Sequence, residues 1–464
     1  MFMALSTAEE IGYGVSPLKT NHSSNFAEFC AATTFDQLPD TVRHEAKRGI
    51  IDWFGCAIAG SQHATIDLLM KGLSNFGSAR TVPVIGRRER LGPLEAAMAN
   101  GQIGHVLDFD DTHMDGVVLH TSSPVLAALI STSHLSAASG RDLMTAYALG
   151  FEAGVRVGKS APNHHDGGWH LTGTLGSIAA GIAAARLLKL DARQTVHALG
   201  IATTQAAGMQ QNRGTMCKSF HAGRAASSGV IAAVLARQGF DSSEEIVEGK
   251  KGFSRTYSAT TDIAAFTSDL GDRWEILSNG YKPYACGVVL HPLIDGVIEL
   301  SRCGIDPAKI AEIRLRVHPH AIRITGVLDP QTGLQSKFSL YHSAAVAFLD
   351  QAAGLSQYSD ERAKAPEVVS LRGLVSAYAD EAYRRDEAHV TVVTHDGGVH
   401  EQHVHHAKGT RANPMSDDTL GEKFLANSVP ILGEERARFL LAAIWRLEDQ
   451  ADINELFALA HGRE

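Results

Sequence analysis

The sequence has little cysteine, and what it has is not paired. Five cysteines are scattered through 464 residues, at Cys30, Cys56, Cys217, Cys286 and Cys303. No CxxC pair occurs, so the pattern excludes a zinc ribbon and a disulfide framework and is typical of a reducing compartment. The sequence also lacks an apolar run of about 18 residues and a basic, then apolar, secretory leader. We therefore expect a cytoplasmic protein that does not cross a membrane.

An excess of positive charge is also missing. The formal net charge is −9, with 42 Lys and Arg against 51 Asp and Glu, which argues against a general binder of nucleic acid or anionic membranes. An anionic small molecule is still an acceptable substrate, because a local group of cations can lie inside an acidic protein. Glycine is abundant, at 44 residues, and small residues let helices approach closely. The composition therefore predicts tightly packed helices.

The chain is long enough for two domains, and its periodicity changes along the sequence. Residues 1–24 are predicted to be a loose lead-in. Residues 25–275 have helical spacing, as at Val42, Ala46, Ile50 and Trp53. Residues 276–408 mix strand and helix patterns, and residues 409–464 are again helical and are expected to rejoin the first domain. The predicted fold is mainly α, with a large all-helical domain and a smaller α+β lid domain.

The lid contains the clearest strand signals. Ile313, Leu315 and Val317 alternate with charged residues, which predicts a strand. A hairpin is predicted to turn at residues 396–398, Asp-Gly-Gly. Five histidines surround this turn, and by number they resemble zinc ligands: His395, His400, His403, His405 and His406. Their place on an edge hairpin favours solvated strand faces over a zinc site.

The stretch "GHVLDFDDTH", residues 104–113, concentrates three aspartates and two histidines. Interpreted as a helix, it places His105, Asp108 and Thr112 on one face, with Asp110 nearly opposite. One helix cannot direct all three carboxylates at one metal ion, which disfavours a metal site. The letters "DFDDT" also match the DxDxT nucleophile of a phosphatase, but that chemistry needs a buried strand before the first Asp. The preceding "MANGQIGHVL" is polar and broken by glycines, which favours an acid–base site.

Four further segments place ionisable residues among glycines and other small residues. Each residue has an ordinary structural interpretation, such as a satisfied histidine or a solvated lysine. Cations at a domain junction would nevertheless receive an anionic substrate. The candidates are His120 in "LHTSSP", His170 in "GGWHLTGTLGS", Arg213 and Lys218 in "NRGTMCKSFHAG", and Lys282 and His291 in "GYKPYACGVVLHP".

Taken in order, these motifs resemble the MmgE/PrpD family over nearly the whole chain from about residue 25. The resemblance implies a helical domain with an α+β lid, a homodimer, and catalysis without metal or organic cofactor. It implies site residues at Asp108, Thr112, His120, His170, Lys218, Lys282 and Tyr341, the last in "KFSLYHS". One departure is Gly287, where decarboxylase-like and dehydratase-like members carry an ionisable residue; His291 follows four positions later.

The resemblance implies proton abstraction next to a carboxylate of a small di- or tricarboxylate. Lys218 and Lys282 would pair with substrate carboxylates, and a neutral histidine would take the proton. Asp108 would orient His120 or His105. A dehydratase of the 2-methylcitrate type is the first expectation, an epimerase of an iminodisuccinate-like acid the second, and a cis-aconitate-type decarboxylase, which Gly287 weakens, the third. A phosphatase and a non-catalytic carboxylate-binding protein are the alternatives from other classes.

Overall fold

The computed structural model describes residues 21–77 and 79–462, so most of the lead-in expected over residues 1–24 lies outside the described part. Helices form nearly all of the regular structure up to residue 267. Their bounds are His22–Ala32 (α1), Asp40–Gly60 (α2), Ala64–Leu73 (α3), Pro93–His105 (α4), Ser122–Ser133 (α5), Gly140–Lys159 (α6), Leu171–Leu187 (α7), Ala192–Thr203 (α8), Met216–Arg237 (α9), Phe253–Tyr257 (α10) and Ala264–Thr267 (α11).

Small residues allow these helices to pack closely, as the composition predicts. Gly101 of α4 faces α9, where an added Cβ would lie 2.8 Å from the carbonyl oxygen of Ala222. Gly229 of α9 packs in the same way against Ala180 of α7. An alanine at either glycine would push the two helix backbones apart, because Cβ atoms do not approach so closely. This packing brings α4, α7 and α9 together, and those helices carry several of the candidate residues.

The smaller α+β part follows, and its strands are Ile310–Val317 (β5), Val375–Ala379 (β6), Ala388–Thr394 (β7) and Val399–Val404 (β8). They form one sheet in the order β6-β5-β7-β8. Strand β5 pairs in parallel with β6 and antiparallel with β7, and β7 and β8 form the predicted hairpin. Ile313, Leu315 and Val317 are buried on β5, as their alternation predicts. The helices of this part are His291–Ser301 (α12), Pro319–Thr325 (α13), Gly333–Ser336 (α14), Leu340–Asp350 (α15), Asp360–Lys364 (α16) and Pro366–Arg372 (α17).

Three helices end the chain: Asp417–Leu432 (α18), Glu434–Trp445 (α19) and Ile453–Leu459 (α20). Helix α18 packs on α2 and so returns the chain to the first helical part. Four two-residue strands complete the fold: Val82–Pro83 (β1), Arg90–Leu91 (β2), Thr112–His113 (β3) and Asn279–Gly280 (β4). The predicted fold class, mainly α with a smaller α+β part, is confirmed.

Strands β3 and β4 pair with each other, Thr112 opposite Gly280. This pairing joins the segment at residues 104–113 to the chain just before Lys282. Among the helices of the described residues, none is both long and apolar enough to cross a membrane.

Candidate active site

The segment at residues 104–113 is not one helix, and the predicted helical face is wrong. Helix α4 ends at His105, and Asp108 has a positive φ of 52°, a conformation that Asp tolerates better than most residues. The chain then extends into β3. Thr112 is fully buried there and its hydroxyl turns to the backbone of His113. It lies outside the cavity described below, so the structure does not bring this implied site residue to the cavity.

Asp108 is held by two lysines from distant parts of the chain. Its Oδ1 accepts a hydrogen bond from Lys282 Nζ at 2.6 Å, and its Oδ2 accepts one from Lys218 Nζ at 2.8 Å. Lys282 also donates to the Asp108 carbonyl oxygen at 2.9 Å. All three side chains are at most slightly exposed. Asp108 therefore positions the lysines, which corrects the expectation that it orients His105 or His120.

Charge and burial oppose each other at this triad. Burial alone would raise the pKa of Asp108, but the ammonium groups of Lys218 and Lys282 hold that pKa well below its usual range. Burial lowers the pKa of Lys218, although the Asp108 carboxylate opposes the shift. Two ammonium groups share one carboxylate, so the triad has a surplus of one positive charge. Such a surplus favours binding of a further anion.

Asp110 takes the role that was expected of Asp108. Both of its oxygens lie within hydrogen-bond distance of His105 Nδ1, at 3.0 and 2.9 Å, and Oδ2 also accepts from Ser123 Oγ. Its Oδ1 is 3.6 Å from His120 Nδ1. Burial would raise the pKa of Asp110, but the two histidines outweigh burial and lower it. A buried carboxylate thus lies beside a pair of histidine rings that are tilted against each other, with centroids 4.6 Å apart.

His120 is fixed in one tautomer. Its Nδ1 lies 2.9 Å from the carbonyl oxygen of Asp111, and a carbonyl oxygen only accepts hydrogen bonds. Nδ1 of the neutral ring therefore carries the proton, and Nε2 carries the free lone pair. Burial lowers the pKa of His120 well below its ordinary value, although the negative charge of Asp110 opposes this shift. His120 is therefore a neutral imidazole near pH 7 and has the form that a general base requires.

His170 forms a second histidine pair at the start of α7. Its Nδ1 lies 2.9 Å from Nδ1 of His221 on α9, so one ring donates and the other accepts. Burial lowers the pKa of both rings, well below the ordinary value for His170 and to about 4 for His221. The His170 ring also stacks on His105, with centroids 5.7 Å apart. The rings of these histidines thus form a continuous wall on the helical side of the site.

The third aspartate of the segment, Asp111, has another environment. Its Oδ2 accepts hydrogen bonds from Ser122 Oγ at 2.6 Å and Asn279 Nδ2 at 2.7 Å. Burial raises its pKa well above the usual range. The three aspartates therefore face lysines, histidines and neutral donors in turn, and do not form a cage of carboxylates. Asp108 also follows a helix rather than a buried strand, which removes the structural basis of the phosphatase alternative.

A cavity of about 680 Å³ opens between the helical part and the smaller part. This volume is typical of a small-molecule site. Six Lys and Arg side chains line it against three aspartates, which gives it a positive balance although the whole protein is acidic. The charged and histidine residues of its lining are Asp108, Asp115, His120, His165, His170, Arg213, Lys218, Lys282, His320, Arg384, Arg385, Asp386, His406 and Arg411.

The structure brings Asp108, His120, His170, Arg213, Lys218 and Lys282 to this cavity. Four expected residues do not line it: His105, Thr112, His291 and Tyr341. His105 lies behind His120, and His291 is fully buried against Tyr284. Tyr341 packs on the hydrophobic core from the start of α15. The structure does not place these four side chains on the cavity, and their roles at the substrate stay predictions. Gly287 lines the cavity and leaves no ionisable group at its position.

Sequence reasoning missed Lys337, which lies close to the triad described above, formed by one aspartate and two lysines. Its Nζ donates to the carbonyl oxygens of Leu107 and Ala285, at 2.7 and 2.6 Å. Burial lowers its pKa to about 8, against the attraction of Asp108. The residue stands at the start of "KFSLYHS", the motif from which Tyr341 was taken. The sequence signal for Lys337 is therefore its place in the same motif as Tyr341.

Three side chains at the wall of the cavity lie close enough together to bind one metal ion. His105, Asp110 and His120 offer ligand atoms within 4.8 Å of one another. The protein already supplies partners to these atoms, since Nδ1 of His105 bonds Asp110 and Nδ1 of His120 bonds the Asp111 carbonyl. The same contacts suit a proton relay, in which a carboxylate orients imidazoles.

Two family models match the chain. The model of the MmgE/PrpD N-terminal domain matches residues 24–265, and that of the MmgE/PrpD C-terminal domain matches residues 284–449. Curated relatives include the cis-aconitate decarboxylase of Aspergillus terreus, 26% identical over 96% of each chain. The human cis-aconitate decarboxylase is 26% identical, over 95% of this chain and 94% of its own. The mouse cis-aconitate decarboxylase is 24% identical, over 95% of this chain and 93% of its own.

Proposed function

The chain belongs to the MmgE/PrpD family, and on that premise we propose that it is a lyase of small di- or tricarboxylates that needs no resident cofactor. The proposed reaction is a dehydration of the 2-methylcitrate-dehydratase kind, begun by removal of a proton next to a carboxylate. One observation carries the proposal: His120, a neutral imidazole with a free Nε2, lies on the same cavity as a lysine pair with surplus positive charge.

The cations would bind and polarise the substrate. Lys218 and Lys282 each keep hydrogen-bond donors beyond those used on Asp108, because an ammonium group has three. A substrate carboxylate placed against them would have its oxygens stabilised as negative charge develops on proton removal. Arg213, also on the cavity, would hold a second carboxylate. Asp108 would keep the two lysines together rather than touch the substrate.

The histidine wall would supply the base. His120 Nε2 would take the proton from the carbon next to the bound carboxylate, and Asp110, near its Nδ1, would stabilise the imidazolium that forms. The carbon–hydrogen electron pair would become the new double bond. The hydroxyl on the neighbouring carbon would leave with its bonding pair and take a proton from Lys218, whose pKa is lowered by burial. The products would be an unsaturated acid and water.

A decarboxylase is the second candidate, favoured by the relatives. The curated relatives above are cis-aconitate decarboxylases, and the same lysines would stabilise the carbanion left by loss of carbon dioxide. The neutral imidazoles favour the first candidate, because decarboxylation needs a proton donor at carbon rather than a base. Gly287 does not separate the two, because both kinds of family member carry an ionisable residue at its position. An epimerase would use the same base and return the proton to the opposite face.

Proton NMR in deuterium oxide tests the proposal, with citrate-, aconitate- and aspartate-type acids and a chelator present. A new alkene signal with all carboxylates retained supports the dehydratase. Release of carbon dioxide would contradict that proposal and support the decarboxylase. Deuterium uptake without net conversion would identify an epimerase. Tight binding without exchange of any substrate proton would show that the protein binds carboxylates without catalysing a reaction. His120→Gln, with His400→Gln as the matched control, assigns any activity to the cavity.

The family resemblance also predicts a homodimer. Light scattering during gel filtration measures this directly. A mass twice the 49.6 kDa of one chain is the expected result, and a mass of one chain would contradict it.

A further inference from the structure

A second group of ionisable side chains lies away from the cavity wall, on the β7–β8 hairpin. Glu387 precedes β7, and His403 and His405 lie at the end of β8 and just after it. The register pairs His389 with His403 and Ala388 with Val404, so Glu387 and His405 follow as the next opposed positions. Because side chains alternate along a strand, His403 and His405 share one face of β8. Glu387 lies on the same face, just before the neighbouring strand β7.

Their ligand atoms are already close. His403 Nε2 lies 2.9 Å from Glu387 Oε1, and His405 Nδ1 lies 4.0 Å from the same oxygen. The ligand atoms of all three residues lie within 4.8 Å of one another. Ligands on a tetrahedral zinc ion are about 3.3 Å apart, given bond lengths near 2.0–2.1 Å. The separations therefore have to shrink by at most about 1.5 Å, a shift that rotation of the exposed histidine side chains can supply.

The surroundings favour a cation that takes nitrogen and oxygen ligands. Glu387 is held in place through its other oxygen, Oε2, which accepts from the Arg384 backbone N–H at 3.2 Å. Arg384 also approaches that oxygen through Nη1 at 3.5 Å and approaches Asp386 at a similar distance. Two carboxylates thus lie beside one guanidinium, so negative charges outnumber positive ones in this cluster. This outer support directs Oε1 towards the two imidazoles, as supporting contacts do in metal sites.

We propose that Glu387, His403 and His405 form a divalent transition-metal site, of the kind that binds zinc, with a water molecule as the fourth ligand. The metal would tie the edge strand β8 to β7 at the end of the hairpin. This replaces the sequence expectation of solvated strand faces for His403 and His405. Two imidazoles and one carboxylate are a common zinc ligand set, and the site is open to solvent because both imidazoles are exposed.

Zinc titration of the full chain tests the proposal. The protein is freed of any affinity tag, stripped with chelator, and titrated with zinc chloride by calorimetry. The double variant His403→Ala/His405→Ala is expected to lose one binding event. Glu387→Gln is expected to weaken that event by at least the ~10–100-fold that loss of an outer-shell contact costs. Cobalt in place of zinc should give the intense visible bands of tetrahedral coordination in wild type but not in the double variant.

His400→Ala is the matched control, because it removes one exposed histidine from the same strand but from the alternate face. It should bind zinc as wild type does, and zinc should raise the thermal midpoint of both proteins but not of the double variant. Equal weakening by His400→Ala would show unspecific imidazole binding and overturn the site. Unchanged titration of the double variant would place the zinc elsewhere, including at His105, Asp110 and His120, and would also overturn it. Neither result depends on turnover of a carboxylate.

Discussion

Two of the histidine groups in the described part of the chain differ mainly in their access to water. In the cavity wall, His105, His120 and His170 are between 1% and 9% exposed. On the β7–β8 hairpin, the side chains of His403 and His405 are 38% and 71% exposed. Both groups lie beside a carboxylate within hydrogen-bond distance. The same pair of residue types is therefore placed in two dielectric environments.

The difference shows how burial selects a function for histidine. In the wall, the cost of burying a charge keeps His120 and His170 neutral, and fixed partners choose the tautomer. On the hairpin, the rings are exposed to solvent, so the proposed metal binding there does not require a buried charge. We therefore assign proton transfer to the buried group and metal binding to the exposed group. The predictions below test this division, from the largest expected effect to the smallest.

Asp108→Asn should produce the largest effect, because it leaves two buried ammonium groups without their shared counter-charge. Loss of one partner of a buried ion pair costs about 3–5 kcal/mol. Asparagine also tolerates the positive φ of this position, so the loss would report charge rather than backbone strain. Urea unfolding should show the reduced free energy, and substrate turnover should fall with it.

Asp115→Asn is the control for stability, since Asp115 also lines the cavity but its side chain is 62% exposed. Its free energy of unfolding should change by less than about 0.5 kcal/mol. If Asp108→Asn unfolds at the same urea concentration as wild type, the lysines do not depend on Asp108, and the charge balance described for the triad is wrong.

His120→Gln should lower kcat/KM by about 10²–10⁴, the usual contribution of a general base. Glutamine can still donate to the Asp111 carbonyl, so the folded structure should be retained. The acid limb of the wild-type kcat/KM profile should lie below pH 6.5, because a base with a lowered pKa stays neutral further into acid. A normal rate in His120→Gln, or an acid limb near pH 6.5, would move the base to another residue.

Much of the fold follows from local sequence patterns. The 3.6-residue spacing on α2, the alternation on β5 and the Asp-Gly-Gly turn all act within a few residues, and each predicted its element correctly. Strand β6 was not predicted, because its partner β5 lies some sixty positions earlier in the chain. A parallel pairing across that distance leaves no local signal.

The residues of the cavity were predicted better than their partners. Asp108, His120, His170, Lys218 and Lys282 were all singled out, yet the roles of Asp108 and Asp110 were exchanged. Lys218 and Lys282 reach Asp108 across 110 and 174 positions, so the pairing could not be seen in the segment itself. The turn after His105 then rotated Asp110 towards the histidines, which a continuous helix would not allow.

His164→Phe should reduce the acid sensitivity of the fold. His164 is buried between the rings of Phe253 and Tyr257, and burial lowers its pKa to about 3. Below pH 6.5 the unfolded chain binds a proton at this position that the folded chain does not bind, so stability falls as pH falls towards 3. At pH 4.5 the penalty is about 3 kcal/mol at most. Urea unfolding at pH 7 and 4.5 should show a smaller difference in the variant, and an unchanged difference would contradict the assignment.

His400→Ala should have the smallest effect, and it tests whether burial is the cause of the division. The ring is exposed on the edge strand β8, so its removal empties no packed space and leaves no buried partner. The free energy of unfolding should change by less than about 0.5 kcal/mol at pH 7 and at pH 4.5 alike, measured beside His164→Phe. Removal of this exposed ring should leave the pH dependence of stability, the difference between pH 7 and pH 4.5, close to that of wild type. If His400→Ala changed that dependence as much as His164→Phe, histidine number rather than burial would set the acid response.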